Sequence, residues 1–179
     1  VTIDGLVHEV VGEEEKFLPD GGARHAYSGF IVVSNSNNVL ITNVTLVGRR
    51  ATPTAGTYDW QGGTSNNVTF YNVTQSNFYD ENGAPTLAYD NYWGIGGTSY
   101  CKNLTYDSCV LSRFDAHAGL HNGKIINSTV SNIEIIGYGD MIIENTTFAT
   151  KTMAPIMLRG DYGCTWEGTI KLINCTMDM

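Results

Sequence analysis

A nine-residue pattern recurs six times along the chain, and no other feature of the sequence restricts the fold so strongly. The copies align without a gap as NVLITNVTL, NVTFYNVTQ, NLTYDSCVL, NGKIINSTV, DMIIENTTF and TIKLINCTM, which start at Asn38, Asn67, Asn103, Asn122, Asp140 and Thr169. Their second and fourth positions are mostly apolar, which is the period of two expected of a short strand. The sixth position is Asn in every copy except the third, which has Ser108. Each copy is therefore predicted to form a strand, a bend at the sixth position and a second short strand.

The spacing of the copies predicts a stacked architecture. Successive copies start 29, 36, 19, 18 and 29 residues apart, so the short intervals give the bare unit and the long ones carry inserted loops or a degenerate turn. A unit this small cannot bury its own apolar face and must stack on its neighbours. A β-sandwich would also contain many short strands, but it gives no reason for the same Asn at the same offset. We therefore predict an all-β fold, a right-handed parallel β-helix solenoid, that forms one domain over residues 1–179.

The bend asparagines carry a second expectation. Their side chains are expected to stack inward as a ladder that satisfies the backbone groups of the bend. Motifs of the form Asn-x-Ser/Thr, the acceptor pattern for N-linked glycans, begin at Asn43, Asn67, Asn72, Asn103, Asn127, Asn145 and Asn174. Most of these are bend asparagines, and an inward side chain could not carry a glycan. We therefore interpret the motifs as structural.

Composition and charge exclude several classes of partner. The chain has 18 acidic and 10 basic residues and a net charge of −8, so the phosphate backbone of nucleic acid would be repelled. No run of about eighteen apolar residues occurs, so no membrane-spanning segment is predicted. The N-terminus lacks the basic region of a signal sequence, and the final CTMDM lacks a polar cap. We expect a fragment of a longer chain, or an edge covered by another chain as in a homotrimer, located outside the cell, on its surface or in a virion.

The cysteines do not predict a metal site. They are Cys101, Cys109, Cys164 and Cys175, and their spacing matches no zinc motif. Three disulfide connectivities are open in an oxidising compartment, but buried free thiols are the preferred interpretation, since Cys109 and Cys175 share one repeat position. No cofactor is predicted, although calcium could bridge carboxylates such as Asp80, Asp90 and Asp161.

Long insertions between the copies contain the aromatic and charged residues expected of a binding groove. Residues 48–66, 77–100 and 149–168 depart from the bare unit, and insertions of a solenoid collect on one face. A pyranose offers an apolar face for ring stacking and hydroxyls for hydrogen bonding, so aromatic rings beside carboxylates and arginines favour a carbohydrate cleft. The candidate substrate-binding residues are Arg50, Tyr58, Trp60, Tyr79, Trp93, His121, Arg159 and Asp161. For any one aromatic, packing beneath a loop is the alternative, and for His121 it is a structural hydrogen bond.

The segment SRFDAHAGLHNG, residues 112–123, holds the candidate catalytic residues. Arg113, Asp115 and His117 lie just past the second strand of the third copy. The same frame puts Arg50 and Asp80 at nearby positions of earlier copies, so stacking could bring them to one lateral strip. The alternative is a brace, in which these side chains hydrogen-bond the turn after the strand.

The segment FDAH, residues 114–117, resembles a motif of a known enzyme family. It resembles the FDPH site segment of the alginate (mannuronan) C5-epimerases, which are right-handed parallel β-helices of the pectate-lyase-like type and related in mechanism to polysaccharide lyases. The resemblance implies that Asp115 and His117 match the catalytic aspartate and histidine of that family. The chain departs from the family at Ser112, where a tyrosine is usual, and at Ala116, where a proline is usual. The segment also resembles β-helix proteins of phage tails and gut bacteria.

Two functions from different classes follow. In the first, the protein modifies a polysaccharide: His117 takes the C5 proton of a uronate, an arginine such as Arg113 neutralises its carboxylate, and the enolate leads to a lyase or an epimerase. A glycoside hydrolase with Asp80 and Asp115 as its carboxylate pair is the other enzymatic option. In the second, the protein is a glycan-binding or structural β-helix without catalysis, such as a phage tail, tailspike or cell-surface module.

Overall fold

The computed structural model describes residues 1–9, 29–47, 58–76, 95–149, 154–160 and 163–178. These ranges form the strands β1 Thr2–Asp4, β2 Val7–Glu9, β3 Gly29–Ser34, β4 Asn37–Val47, β5 Tyr58–Gly63, β6 Asn66–Ser76, β7 Ile95–Ser99, β8 Cys101–Asp107, β9 Val110–Ile126, β10 Thr129–Glu144, β11 Thr147–Phe148, β12 Ile156–Leu158, β13 Trp166–Ile173 and β14 Thr176–Met177. Within them, no helix has the length and apolar character needed to cross a bilayer. The prediction of an all-β protein is confirmed.

Strand pairing follows the sequence repeat. Every pairing in the described part of the chain is parallel. Residues at the second position of the copies pair in one continuous row: Val39 with Val68, Val68 with Leu104, Leu104 with Gly123, Gly123 with Met141 and Met141 with Ile170. This register is the one that the ungapped alignment requires. Parallel neighbours need a crossover of chain between them, so an antiparallel sandwich is excluded for these strands.

A second row of pairings joins strands that lack the Asn pattern. It runs from β3 through β5 and β7 to the middle of β9. There Arg113, Phe114 and Asp115 pair with Ile95, Gly96 and Gly97. The candidate catalytic segment is thus a strand held between β7 on one side and β10 on the other.

The bends form where the sequence predicts them. Each sixth position has a left-handed backbone, with φ of 53° at Asn43, 52° at Asn72 and 56° at Ser108. The same holds at Asn127, Asn145 and Asn174. Asn tolerates this conformation better than other residues with a side chain, because its short amide can hydrogen-bond locally. The predicted order of strand, bend and strand is therefore confirmed.

The core is built from the second and fourth positions of the copies. In the first five copies these positions are almost completely buried, among them Ile41, Phe70, Tyr106, Ile125 and Ile143, whereas Leu172 of the sixth copy is exposed. The rings of Phe70 and Tyr106 stack at 4.6 Å. The fourth copy has Gly123 at its second position because the Met141 side chain fills that space, and a Cβ there would lie 2.6 Å from the Met141 sulfur.

The asparagine side chains face outward, so the expectation of an inward ladder was wrong. Asn43 and Asn72 are exposed, while Val44 and Val73, one residue later, are buried. The apolar seventh position takes the core at the bend, and the left-handed residue before it is turned away. The ladder itself exists on the outside: the Asn72 Nδ2 donates to the Asn43 Oδ1 at 2.7 Å. Burial therefore does not prevent glycosylation of these asparagines, although their side-chain amides hydrogen-bond to one another.

The ladder continues towards the C-terminal copies. Asn127 donates to Asp107 at 3.0 Å, Asn145 donates to Asn127 at 3.2 Å, and Asn174 donates to Asn145 at 3.4 Å. Asp107 takes the acceptor role in the copy where Ser108 replaces the asparagine.

All four cysteines are free thiols. Cys101 and Cys109 are buried, Cys175 is half-buried and Cys164 is exposed, so the expectation of buried thiols holds for two of them and is wrong for Cys164. Burial raises the pKa of the Cys109 thiol to about 11. Its sulfur contacts the Phe70 and Asp107 carbonyls, which makes Cys109 an inert core residue.

Candidate functional site

A cluster of charged side chains lies on the outer face of β9 and β10. Phe114 packs edge-on against Tyr106 in the core, so its neighbours Arg113 and Asp115 point away from the core. Asn132 and Glu134 of β10 pair directly with them. Despite this outward direction, Arg113 is 6% exposed, Asp115 0% and Glu134 3%. Both faces of these strands are therefore buried at this place.

Two arginines bind the two carboxylates. Arg113 Nη2 lies 2.6 Å from Asp115 Oδ2. Arg159, which follows β12, places its Nη1 3.1 and 3.0 Å from the two Asp115 oxygens and 3.4 Å from Glu134 Oε2. Arg113 Nη1 lies 3.6 Å from Glu134 Oε1, and the Asn132 amide donates to the same oxygen at 3.4 Å. Two cations and two anions in such a site balance, as buried charges require.

The two carboxylates are not equivalent. Asp115 accepts the short contacts from both arginines, whereas Glu134 is held at longer distances. Burial raises the pKa of Glu134, and the negative charge of Asp115 adds to the rise, while Arg113 and Arg159 oppose it. Glu134 therefore holds a proton to higher pH than an ordinary glutamate. A carboxyl of this kind can act as a proton donor wherever a ligand reaches it.

Glu134 and Asn132 are site residues that the sequence analysis missed, although a signal for them existed. Asp115 lies twelve residues after the repeat start Asn103, and Glu134 lies twelve residues after the repeat start Asn122. Arg113 and Asn132 share an offset of ten in the same way. Extending the alignment beyond the ninth position would have paired Arg-x-Asp with Asn-x-Glu.

His117 lies at an irregularity of β9. The register of β9 against β10 shifts after Ala116 pairs with Ile135 and resumes where Leu120 pairs with Gly137. The His117 backbone is in this bulge, a kind of distortion that is frequent beside active sites. Its side chain lies outside the described part of the structure, so the pairing of His117 with Asp115 stays a prediction.

The other predicted site residues have different outcomes. Arg159 joins the cluster with Arg113 and Asp115, as described above. Tyr58 and Trp60 are described only by their backbone: Tyr58 pairs with Ile95, and Trp60 pairs with Ile31. The remaining candidates, which are Arg50, Tyr79, Asp80, Trp93 and Asp161, lie outside the described residues.

His121 belongs to a separate place on the outer surface. It pairs with Tyr138 of β10, and the two rings stack at 4.3 Å with an interplanar angle of 16°. Tyr138 remains 52% exposed. Its neighbours Gly137 and Gly139 have positive φ, and a Cβ on them would collide with the Leu120 carbonyl and the Asn122 amide respectively. The two glycines thus let β10 approach β9 closely enough for the rings to stack.

A groove of about 450 Å³ opens across the strands β6, β8, β9 and β10. It is lined by Asn67, Asn103, Leu104, Thr105, Asn122, Gly123, Lys124, Asp140 and Ile142. His121 and Tyr138 do not line the groove themselves; they precede its lining residues Asn122 and Asp140 by one and two positions along β9 and β10. Asp140 also lies 3.7 Å from Lys171. Amides, a hydroxyl and a pair of opposite charges make this a polar groove.

The described residues contain no group of three or more His, Cys, Asp or Glu side chains suited to a metal ion. The carboxylates Asp80, Asp90 and Asp161, considered for calcium, lie outside the described ranges.

Comparison of the chain with protein-family models, with curated proteins and with solved structures finds no match. The likeness to C5-epimerases thus rests on the FDAH segment alone.

Proposed function

We propose that the protein is a glycan-binding module built on a right-handed parallel β-helix. Parallel pairing of every described strand, with equivalent repeat positions in register, supports the β-helix, because a coil of successive units produces this pairing. The right hand follows from the general rule for parallel crossover connections.

The observation that carries glycan binding is the stacked His121–Tyr138 pair beside the amide-lined groove. Sugar sites combine an aromatic surface, which contacts the C–H face of a pyranose, with a few polar groups that fix its hydroxyls. Tyr138 supplies exposed aromatic surface, and the groove that starts two residues further along β10 supplies the amides of Asn103 and Asn122. The Tyr138 ring stacks on His121, which positions it before a ligand arrives.

In this proposal the Arg113, Asp115, Glu134 and Arg159 cluster is a brace. Asp115 is fully buried, and both of its oxygens are bound by Arg159. A fully buried carboxylate of this kind exposes no oxygen that a sugar hydroxyl could contact. The cluster instead fixes the segment after β12 to β9, 44 residues away in the chain.

Polysaccharide modification is the second candidate, and the state of Glu134 favours it. A buried glutamate with a raised pKa, beside a second carboxylate and two arginines, is a combination that general acids use. A lyase or C5-epimerase would use Asp115 with His117, and a hydrolase would use Glu134 as its acid.

Binding is tested with an array of neutral and acidic polysaccharides, followed by calorimetric titration of the ligands found. Tyr138→Ala should weaken binding at least tenfold, because loss of a stacking ring removes more than about 1.4 kcal/mol. Tyr71→Ala is the matched control, since Tyr71 is similarly exposed, at 46%, but belongs to a different pairing row, with Thr42 and Asp107. Equal affinity of wild type and Tyr138→Ala for every ligand would refute the proposed site.

A further inference from the structure

The groove runs along the direction in which the units stack. One side of the groove is formed by the residues at the first position of the copies. They come from four successive paired strands, β6, β8, β9 and β10, and are Asn67, Asn103, Asn122 and Asp140. Adjacent paired strands are about 4.8 Å apart, so four of them span about 14 Å from first to last. The opposite side is formed by Thr105, Lys124 and Ile142, two residues further along the same strands. The groove is therefore long in one direction and narrow in the other.

The asparagines that line the groove, at the first position of the copies, retain hydrogen-bonding capacity for a ligand. An Asn side chain has two N–H donors and an oxygen with two lone pairs. Asn103 uses one donor on the Asn66 Oδ1 at 2.9 Å and one lone pair on the Asn122 amide at 3.4 Å. Asn67 likewise donates to the Asn38 Oδ1 at 2.7 Å. Asn122 donates to Asn103 and accepts from the Asp140 N–H at 3.0 Å. The three asparagines thus each keep a donor and an acceptor, whereas the carboxylate of Asp140 offers acceptors.

We propose that this groove binds an extended, neutral, equatorially linked glycan chain that lies along the stacking direction, with about one sugar residue per rung. This inference rests on the proposed glycan-binding function and adds the class of ligand. A pyranose in an equatorially 1,4-linked chain advances by nearly one rung spacing, so successive residues lie over successive rungs. Alternate residues are turned over and present opposite hydroxyl edges, and the asparagine amides can bond either edge because they both donate and accept. An axially linked chain coils and loses this register after two residues. The lining holds one lysine and one aspartate, Lys124 and Asp140, and so offers no excess charge to a polyanion.

The test is calorimetric titration with two series of oligosaccharides of two to six residues. The β-1,4-linked gluco- and manno-oligosaccharides are extended, and the α-1,4-linked malto-oligosaccharides are the coiled control. Affinity for the extended series should rise about fivefold with each residue up to four and then level off, as one added hydrogen-bonded contact per rung predicts. The malto series should show no such rise.

Two ladder variants locate the effect. Asn67→Gly removes the first amide of the groove, and affinity should then level off at three residues while the disaccharide binds as before. Asn72→Gly makes the same change in the ladder of bend asparagines, outside the groove, and should leave the affinities for the extended oligosaccharides unchanged. Glycine is used because both positions have positive φ. Thr105→Val, which removes a lining hydroxyl without a backbone change, serves if Asn67→Gly does not fold and should weaken binding of the longer oligosaccharides.

The outcomes separate this inference from the proposed function. Affinity that depends on Tyr138 but not on chain length would overturn the extended-chain inference and leave glycan binding intact. Equal gains in the malto series, or equal effects of Asn67→Gly and Asn72→Gly, would overturn it as well. Absence of any Tyr138-dependent glycan binding would refute the proposed function and this inference with it.

Discussion

At the scale of single residues, the charged cluster shows how burial changes the role of a carboxyl group. Asp115 and Glu134 lie opposite each other on paired strands and share the same two arginines. Asp115 takes the short contacts, and the pKa of Glu134 is raised by burial. The cluster can therefore release or take up a proton at Glu134 while the pair between Asp115 and its arginines stays intact.

The raised pKa of Glu134 predicts a pH dependence of stability. The folded protein binds the Glu134 proton more tightly than the unfolded chain, so the contribution of this group is full below pH 4.5 and is lost as pH rises through the folded pKa. Glu134→Gln cannot titrate. Its unfolding free energy should therefore improve relative to wild type as pH rises above 4.5, by at most about 1.4 kcal/mol per pH unit within that window.

Urea unfolding of both proteins at several pH values between 4 and 7 measures this difference. Glu167→Gln, which makes the same change at an exposed carboxyl, is the control. A constant difference for Glu134→Gln would show that the folded state does not favour the protonated carboxyl.

At the scale of strands, close approach between β9 and β10 depends on glycine. Gly137 has a φ of 141°, and a Cβ there would meet the Leu120 backbone, which cannot move aside as a side chain could. Gly137→Ala should lower the unfolding free energy by about 2 kcal/mol or more, through strain and displacement of β10. Gly160→Ala is the control, because a Cβ at Gly160 meets no atom within 4 Å. A neutral Gly137→Ala in denaturant titration would contradict the observed register.

Much of the strand arrangement could be predicted from sequence, and the failures have physical causes. The pairing row from Val39 to Ile170 follows from an alignment of apolar positions, because register in a parallel stack is set by which side chains are buried. The direction of the bend asparagines could not be read from their polarity. It is decided by competition with the seventh position, where small or apolar residues such as Val44 occupy the core.

The candidate site was predictable only in part, for a similar reason. The motif around Asp115 stands out by composition, whereas Glu134 and Tyr138 become significant only through their partners on the neighbouring strand. The Tyr138 surface also requires Gly137 and Gly139, whose role is visible only from the distance between strands. Sequence patterns thus identify the side chains that each strand buries in the core. Contacts between strands identify the side chains that it offers to a ligand.

At the scale of the whole molecule, the outer ladder couples each unit to the next. Within the described residues, Asn127 has two ladder hydrogen bonds, one to Asp107 and one from Asn145, whereas Asn174 has one, to Asn145. Stability in such stacks is a sum of unit and neighbour contributions. Asn127→Gly should therefore cost about 2 kcal/mol and Asn174→Gly about 1 kcal/mol, at 0.5–1.5 kcal/mol per hydrogen bond.

Thermal and urea unfolding of the two ladder variants gives this comparison. Both positions have positive φ, so glycine is tolerated equally and the difference reports the ladder. Equal losses at the two positions would mean that the amide hydrogen bonds add nothing to coupling between units.

The central claim is that this molecule holds a glycan in a rigid groove without changing it. The most direct measurement takes the polysaccharide that wild-type protein binds, incubates the two in heavy water, and follows the sugar by proton NMR. We expect the bound glycan to keep its signals, with no unsaturated ends, no new reducing ends and no deuterium at C5. Any of these three products would contradict the account, and it would make the Asp115 and Glu134 cluster a reaction centre.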